Sequence, residues 1–363
     1  MYDNNNQQYK PPYPQPMNQQ PYYTQPQYYQ PQNVYYSPIP MQWDPQIQYV
    51  QNQPVIPLKP LKNERKSIRH YYNWCGACLL FFLLFATVFY LVPSSIIGDI
   101  REGSIADELL SCISMTASFL LSVLICCLAT RTSLKKLFNW RDVKLSTIGK
   151  IAVADQGTLL IALVVVCLIQ GLFSVLGISE QLPDTKIDPG IATVIDIIYG
   201  CIGAPILEEI MFRGFILRNL SRVSLRFGIF ASAFLFGLTH GNTQQFLIAG
   251  IGGIFYAYIA IKTNSIFPSI ICHSIYNTLV TLSDQLIQKS ENIGNIIFYS
   301  WFGLMTVLGI IIVIVSRKKI NFPKTTIEKR KRCLPIFLSS PTVIISIVVI
   351  ILMSIYNNFS FVK

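Results

Sequence analysis

The chain of 363 residues is 52% hydrophobic and only 13% charged, whereas a typical soluble domain carries about 25% charged residues. Long apolar runs alternate with short charged loops, which excludes a soluble globular protein and predicts a multi-pass membrane protein. The formal net charge of +11 does not indicate nucleic-acid binding. The basic residues cluster at the ends of the apolar runs, where anionic lipid headgroups and membrane topology account for them.

The first 58 residues form a region of their own. They are rich in Pro, Gln, Asn and Tyr and contain too few aliphatic residues to build a core, so we expect a disordered cytoplasmic tail. The basic, apolar and small-residue order of a signal peptide is absent from this region. Because Pro-rich segments bind aromatic grooves, the tail is also a candidate docking arm for a partner protein. Residues 59–363 are predicted to form the multi-pass membrane domain.

Nine apolar runs follow the tail. They predict an all-α, polytopic transmembrane bundle of about eight or nine helices. The fifth run is short for a membrane crossing of about 20 residues. The predicted runs are 75–97, 109–129, 156–178, 191–217, 226–241, 244–262, 266–283, 296–316 and 335–356.

Charge alternates between the loops that join these runs. Basic residues precede the first run and follow the second, fourth, sixth and eighth runs, whereas the other loops are acidic or weakly charged. Cytoplasmic loops carry the excess of Lys and Arg in membrane proteins. The pattern therefore predicts a cytoplasmic N-terminus and a C-terminus on the opposite side of the membrane.

Two adjacent carboxylates, Glu208 and Glu209, lie in the fourth apolar run. Charged side chains at bilayer depth are costly and usually mark a functional site. Neighbouring residues of a helix point about 100° apart, so the two carboxylates cannot have the same role. Arg213 lies four residues after Glu209, a spacing that favours an ion pair and leaves Glu208 free to face a polar cavity. Pro205 is predicted to bend this helix.

Two of the three histidines lie in later apolar runs. Glu208 is sixteen residues before Ser224, the predicted hairpin turn, and His240 is sixteen residues after it. Two antiparallel helices place such residues at the same height. His273 and Asn277 are spaced i, i+4 in the seventh run and share one helix face. They reach the same depth if the turn near Ser224 projects past the membrane surface.

These residue types suit the hydrolysis of a peptide bond. A carboxylate beside an imidazole can take a proton from water, and an amide with a second imidazole can donate hydrogen bonds to an oxyanion. Alternatively, Glu208, His240 and His273 could bind a divalent metal such as zinc, whose bound water attacks the substrate. The H-E-x-x-H helix of common zinc proteases is absent. Both alternatives stay open at the level of sequence.

Three motifs together resemble those of the CPBP family, the CAAX-processing intramembrane proteases that are also called Abi proteins. The motifs are Glu208-Glu209-x-x-x-Arg213, Phe236-x-x-x-His240 and His273-x-x-x-Asn277, within residues of about 190–285. The resemblance implies that Glu208 and His240 activate water. It also implies that His273 and Asn277 stabilise the oxyanion, and that Glu209 and Arg213 support the site. The family core has about eight helices, so the ninth run and the tail are additions.

The resemblance also implies a setting and a substrate class. We expect a bacterial plasma membrane, contact with membrane lipid, and a peptide or protein substrate that is lipidated or membrane-associated, as in CAAX processing, bacteriocin maturation or self-immunity. A competing hypothesis is a non-enzymatic immunity or adaptor protein that recruits a partner through residues 1–58. Asp155 and Asp196, near the ends of their runs, are predicted to lie at the membrane interface.

Overall fold

The computed structural model describes residues 62–98, 100–138, 143–178, 180, 187–318, 320 and 327–358. Every regular element within these residues is helical, which confirms the predicted all-α class. The predicted tail of residues 1–58 lies outside them. The helices are α1 (Lys62–Ile97), α2 (Ile105–Thr130), α3 (Leu134–Leu137), α4 (Leu145–Val175), α5 (Ile191–Ile198), α6 (Ala204–Glu209), α7 (Leu217–Leu220), α8 (Leu225–Leu238), α9 (Thr243–Thr263), α10 (Phe267–Lys289), α11 (Glu291–Ser316), α12 (Ile327–Phe337) and α13 (Pro341–Asn358).

Seven helices of the described chain are long and apolar enough to cross a membrane. They are α1, α2, α4, the continuous helix Ile191–Leu220 that contains α5 to α7, α9, α11 and α13. Two of the nine predicted runs differ from this set. Helix α8 has 14 residues, or about 21 Å, which is less than the roughly 30 Å of a hydrocarbon core. Helix α10 is long enough, but its polar side chains keep it below the apolarity of a membrane span. Both helices carry predicted site residues.

The fourth predicted helix is not a regular α-helix. Two π-helical turns, Tyr199–Gly203 and Ile210–Ile216, lie on either side of α6. Pro205 has no N–H and so cannot make the regular bond to the fourth residue before it. The N–H of Ala204 instead bonds to the carbonyl of Tyr199, five residues back. The helix is therefore disturbed at Pro205, as expected, and the disturbance is a wide turn just before the proline. Such turns occur frequently at functional sites.

Helices α1 and α13 pack closely and run in the same direction. Thr342 Oγ1 donates to the carbonyl of Asn73 at 2.5 Å. A Cβ on Gly76 would lie 2.3 Å from the backbone nitrogen of Val343, so only glycine permits this approach. At this end of the bundle, the ring of Tyr72 stacks on Phe227 with centroids 5.8 Å apart. The start of α8 is thereby fixed beside the starts of α1 and α13.

Candidate active site

A helical hairpin brings the glutamate and histidine motifs to one height. Its turn lies between α7 and α8, and the hydroxyl of Ser224 caps α8 by accepting from the N–H of Phe227. Phe212 and Phe236, twelve residues before and after Ser224, contact each other edge to face with centroids 4.9 Å apart. This contact brings together two residues that are equally far from the turn, as the predicted hairpin requires.

Glu209 and Arg213 form a buried ion pair. The guanidinium Nη1 donates to Glu209 Oε1 at 2.7 Å, and both side chains are at most 1% exposed. Arg213 also lies over the ring of Phe236, 4.3 Å from its centroid, and 5.3 Å from the centroid of Tyr256. Its Nη2 donates to the carbonyl of Gly253 at 3.3 Å. The predicted pair is therefore present, and Arg213 is held by a charge, two rings and a carbonyl.

His273 lies between the two glutamates. Its Nδ1 is 3.2 Å from Glu209 Oε1, and its Nε2 is 3.6 Å from Glu208 Oε2. The ring of Tyr256 stacks on the imidazole at 5.3 Å with an interplanar angle of 24°. Glu208 is 20% exposed, whereas Glu209 is fully buried. The two carboxylates thus have different surroundings, as predicted, but both of them contact His273.

His240 lies just past the end of α8. Its Nδ1 is 3.0 Å from the carbonyl oxygen of Phe236, one helical turn earlier. The Phe236 ring meets both imidazoles edge to face, with centroids 5.0 Å from His240 and 5.6 Å from His273. His273 in turn contacts Glu208, with 3.6 Å between His273 Nε2 and Glu208 Oε2. Glu208, His273 and His240 are therefore neighbours in series, with the Phe236 ring between the two histidines.

Asn277 lies one turn after His273 on α10. Its amide Nδ2 donates to the carbonyl of Gly200 at 2.8 Å. Gly200 belongs to the first π-helical turn, where wide pitch disturbs the regular bonding of the backbone. The amide therefore ties α10 to the helix that carries the glutamates. One of its two N–H groups is used in this contact, and the other can serve a ligand.

Asp155 and Tyr256 are the polar residues that the sequence reasoning missed. Asp155, which we expected near the membrane interface, is 0% exposed and lies inside the protein. The Tyr256 hydroxyl donates to Asp155 Oδ2 at 3.3 Å, and the Tyr256 ring contacts both His273 and Arg213. Asp155 lies ten residues into α4, about 15 Å from the start of that helix. Because the predicted apolar run begins at residue 156, the sequence pattern contained no signal of this burial.

The three residues considered as zinc ligands do not form a metal-binding group. In the part of the chain that the structure describes, no three His, Cys, Asp or Glu side chains lie close enough together to hold one ion. The Nδ1 atoms of His240 and His273 already face the Phe236 carbonyl and Glu209. We therefore derive the chemistry of the site from its own side chains and assign no step to a metal.

Comparison with known families supports the same segment. Residues 190–279 match the model of the family described as type II CAAX prenyl endopeptidase Rce1-like. Over these residues the chain is similar to that family, in agreement with the resemblance of its three motifs to those of the CPBP proteases. The matched segment contains all six predicted site residues, from Glu208 to Asn277, and both π-helical turns. Helices α1 to α4 and α11 to α13 lie outside it.

One curated relative points in the same direction. The chain is 30% identical over 113 residues to "Putative membrane peptidase YdiL" of Bacillus subtilis (strain 168). The aligned part covers 30% of this chain and 46% of that protein, so the chain spans less than half of the length of its relative. No solved structure matches the chain.

Proposed function

We propose that this protein is an intramembrane endopeptidase that hydrolyses a peptide bond of a membrane-associated or lipidated substrate. The observation that carries the proposal is that a partly exposed carboxylate, Glu208, lies 3.6 Å from the buried imidazole of His273, and that the ring of Phe236 joins His273 to the half-buried imidazole of His240. All of these residues lie within the matched segment. Carboxylates and imidazoles are the groups that most often accept protons from attacking water. The seven apolar helices supply the membrane setting.

Hydrogen bonding assigns the tautomers of the two histidines. A carbonyl oxygen can only accept, so His240 Nδ1, 3.0 Å from the Phe236 carbonyl, carries the hydrogen of the neutral ring. Its Nε2 is then an acceptor. Glu208 and this Nε2 together orient a water molecule, and Glu208 takes its proton as the oxygen attacks the substrate carbonyl carbon. The same proton passes to the leaving amine when the C–N bond breaks.

His273 and Asn277 stabilise the oxyanion in this scheme. Glu209 accepts from Nδ1–H of His273, so Nε2 can donate only when the ring is the imidazolium. The carboxylates on either side of the ring balance that charge. The second N–H of the Asn277 amide supplies another donor, while its first N–H is fixed by Gly200. Donors that are held in place before reaction are the effective ones in oxyanion stabilisation.

The proposal is tested in two steps, first by comparing the membrane proteomes of cells and then by measuring cleavage with the purified protein. Cells that express the wild type or Glu208→Gln are compared for cleaved membrane peptides, and each cleaved sequence is then incubated with purified protein in liposomes. We include synthetic peptides with and without a prenylated C-terminal cysteine to separate CAAX-type processing from general peptide cleavage. Loss of the base should lower the rate by about 10²–10⁴-fold.

Two controls make this result specific. Glu291→Gln changes an exposed carboxylate at the start of α11 and should leave cleavage unchanged. A chelator such as 1,10-phenanthroline should also leave the rate unchanged, because the scheme uses no metal. Full activity of folded Glu208→Gln would refute the mechanism. Absence of any cleavage by the wild type would favour the non-enzymatic alternative.

A further inference from the structure

The end of the last helix contacts the backbone next to His240. The Oγ of Ser354 and the Nδ2 of Asn358, one turn apart on α13, both donate to the carbonyl of Gly241. The distance from Asn358 Nδ2 to that oxygen is 2.6 Å, and the Asn358 side chain is 4% exposed. Two donors of one helix face thus converge on a single carbonyl, in the peptide unit between Gly241 and Asn242.

The contacted turn joins α8 to α9 and depends on outside support. Gly241 has φ of +74°, a conformation that other residues rarely adopt. The α8 helix ends at Leu238, and Asn242 caps α9 by accepting from the N–H of Gln245 at 2.8 Å. Between these ends, the Gly241 carbonyl cannot bond along either helix. The donors from α13 satisfy this half-buried carbonyl instead.

The helix that supplies these donors is itself held at its other end. Thr342 bonds to Asn73 of α1, and the backbone of Val343 packs directly on Gly76. From there, 18 residues of α13 extend along the bundle for about 27 Å. Because its start is fixed on α1, the position of Ser354 and Asn358 is fixed as well. Residues 341–358 lie outside the matched family segment.

We infer that Ser354 and Asn358 are positioning residues for His240. By holding the Gly241 carbonyl, α13 fixes the orientation of the His240 imidazole toward Glu208. The expected effect on catalysis rests on the proposed function, whereas the expected effect on the position of His240 does not. Displacements of about 1 Å at a catalytic group can cost roughly 100-fold in rate, so a two-point hold on this turn has a measurable effect.

The test uses the full-length double variant Ser354→Ala/Asn358→Leu in liposomes. The chain has only three histidines, so diethyl pyrocarbonate labelling of His240 can be quantified by mass spectrometry of its peptide. We expect labelling of His240 to rise at least about 3-fold, with faster amide exchange over residues 239–243, because the turn opens more often. On a peptide that the wild type cleaves, kcat should fall about 10- to 100-fold with little change in KM.

Matched variants control for general effects on α13. Ser346→Ala removes a buried hydroxyl that bonds within the helix, to the Val343 carbonyl at 2.9 Å. Asn357→Leu changes the exposed neighbour of Asn358. Both should leave His240 labelling and kcat as in the wild type. Ser354→Thr, which restores a hydroxyl in the Asn358→Leu background, should recover part of both readouts relative to the double variant.

Each outcome decides the inference. Raised labelling of His240 together with a reduced kcat supports the inference. If the wild type cleaves no peptide, raised labelling of His240 in the double variant still supports the inference, and only the proposed function fails. Unchanged labelling and exchange in the double variant overturn it, whether or not the wild type is active. If the double variant does not fold, Ser354→Ala alone, which keeps the Asn358 contact, is compared with Ser346→Ala by the same criteria.

Discussion

At the scale of single residues, the adjacent glutamates are separated by their partners. Glu209 is fully buried and paired with Arg213, whereas Glu208 is partly exposed beside His273. Removing one member of a buried ion pair leaves the other charge without compensation, which is strongly destabilising. Replacing a partly exposed carboxylate by its amide has no such penalty. We therefore expect substitution of the Glu209–Arg213 pair to lower stability and substitution of Glu208 to lower activity with little change in stability.

A stability comparison tests this division. Arg213→Met should lower the free energy of unfolding by about 3–5 kcal/mol, because Glu209 then has no guanidinium partner. Glu208→Gln should change it by less than about 1 kcal/mol. Denaturant unfolding of the purified proteins in detergent measures both values. Equal stability of the two variants would contradict the structural role of the Glu209–Arg213 pair.

Asp155 and Tyr256 provide a second residue-scale prediction. Tyr256→Phe keeps the ring on His273 but removes the donor to Asp155, and an unsatisfied buried acceptor costs about 1–3 kcal/mol. Adding Asp155→Leu to that variant should recover part of the loss, since replacing both partners by apolar groups can be nearly neutral. Unfolding of the single and double variants measures the recovery. Tyr299→Phe, at a position that is 62% exposed, is the matched control. Additive losses would disprove the coupling.

At the scale of elements, close glycine contacts set the helix positions. A methyl group on Gly76 would collide with the backbone of α13, whereas one on Gly171 of α4 would meet open space. Gly76→Ala should therefore destabilise the protein by about 1–3 kcal/mol through overpacking. Gly171→Ala should be neutral, or stabilising by up to about 1 kcal/mol through helix propensity. Thermal unfolding in the same detergent compares the two, and a stable Gly76→Ala variant would argue against tight α1–α13 packing.

The sequence predicted contacts within one helix or one hairpin, and it did not predict contacts between distant helices. The Glu209–Arg213 pair follows from i, i+4 spacing, and the height of His240 follows from counting about Ser224. The contacts of His273 with both glutamates, of Asn277 with Gly200 and of Asp155 with Tyr256 depend on which helices are neighbours. Sequence spacing predicts how far along a helix a residue lies and on which face, but it does not predict which other helix packs against that face. The π-helical turns were missed because hydrophobic periodicity does not distinguish one inserted residue from a bend.

At the scale of the whole molecule, the family segment is embedded in helices that it does not contain. Residues 190–279 supply the six predicted site residues. Helix α4, outside that segment, adds Asp155 behind the site, and α13 adds the donors to Gly241. The site is therefore completed by parts of the chain that the family match does not cover.

Membrane orientation is a prediction for the whole chain. The basic loops predict that the N-terminus is in the cytoplasm and the C-terminus is outside. Alkaline phosphatase, which is active only outside the cytoplasm, should be active when fused after residue 363 and inactive when fused after residue 138, in the basic loop that follows α2. Green fluorescent protein fused to the N-terminus should fluoresce. The opposite pattern would invert the orientation and place the hairpin turn near Ser224 on the outer side.

The two π-helical turns have a consequence for insertions and deletions. A π-helical turn takes up one extra residue within a helix, so deleting a residue from Tyr199–Gly203 would restore regular pitch and return the carbonyls of this turn to regular bonds within the helix. The Gly200 carbonyl would then leave Asn277, although Glu208 kept its place. The number of residues between Gly200 and Glu208 is thus fixed, because Gly200 bonds to Asn277 and Glu208 contacts His273. Related sequences that keep this site should vary in length elsewhere, in the loops, rather than within this stretch.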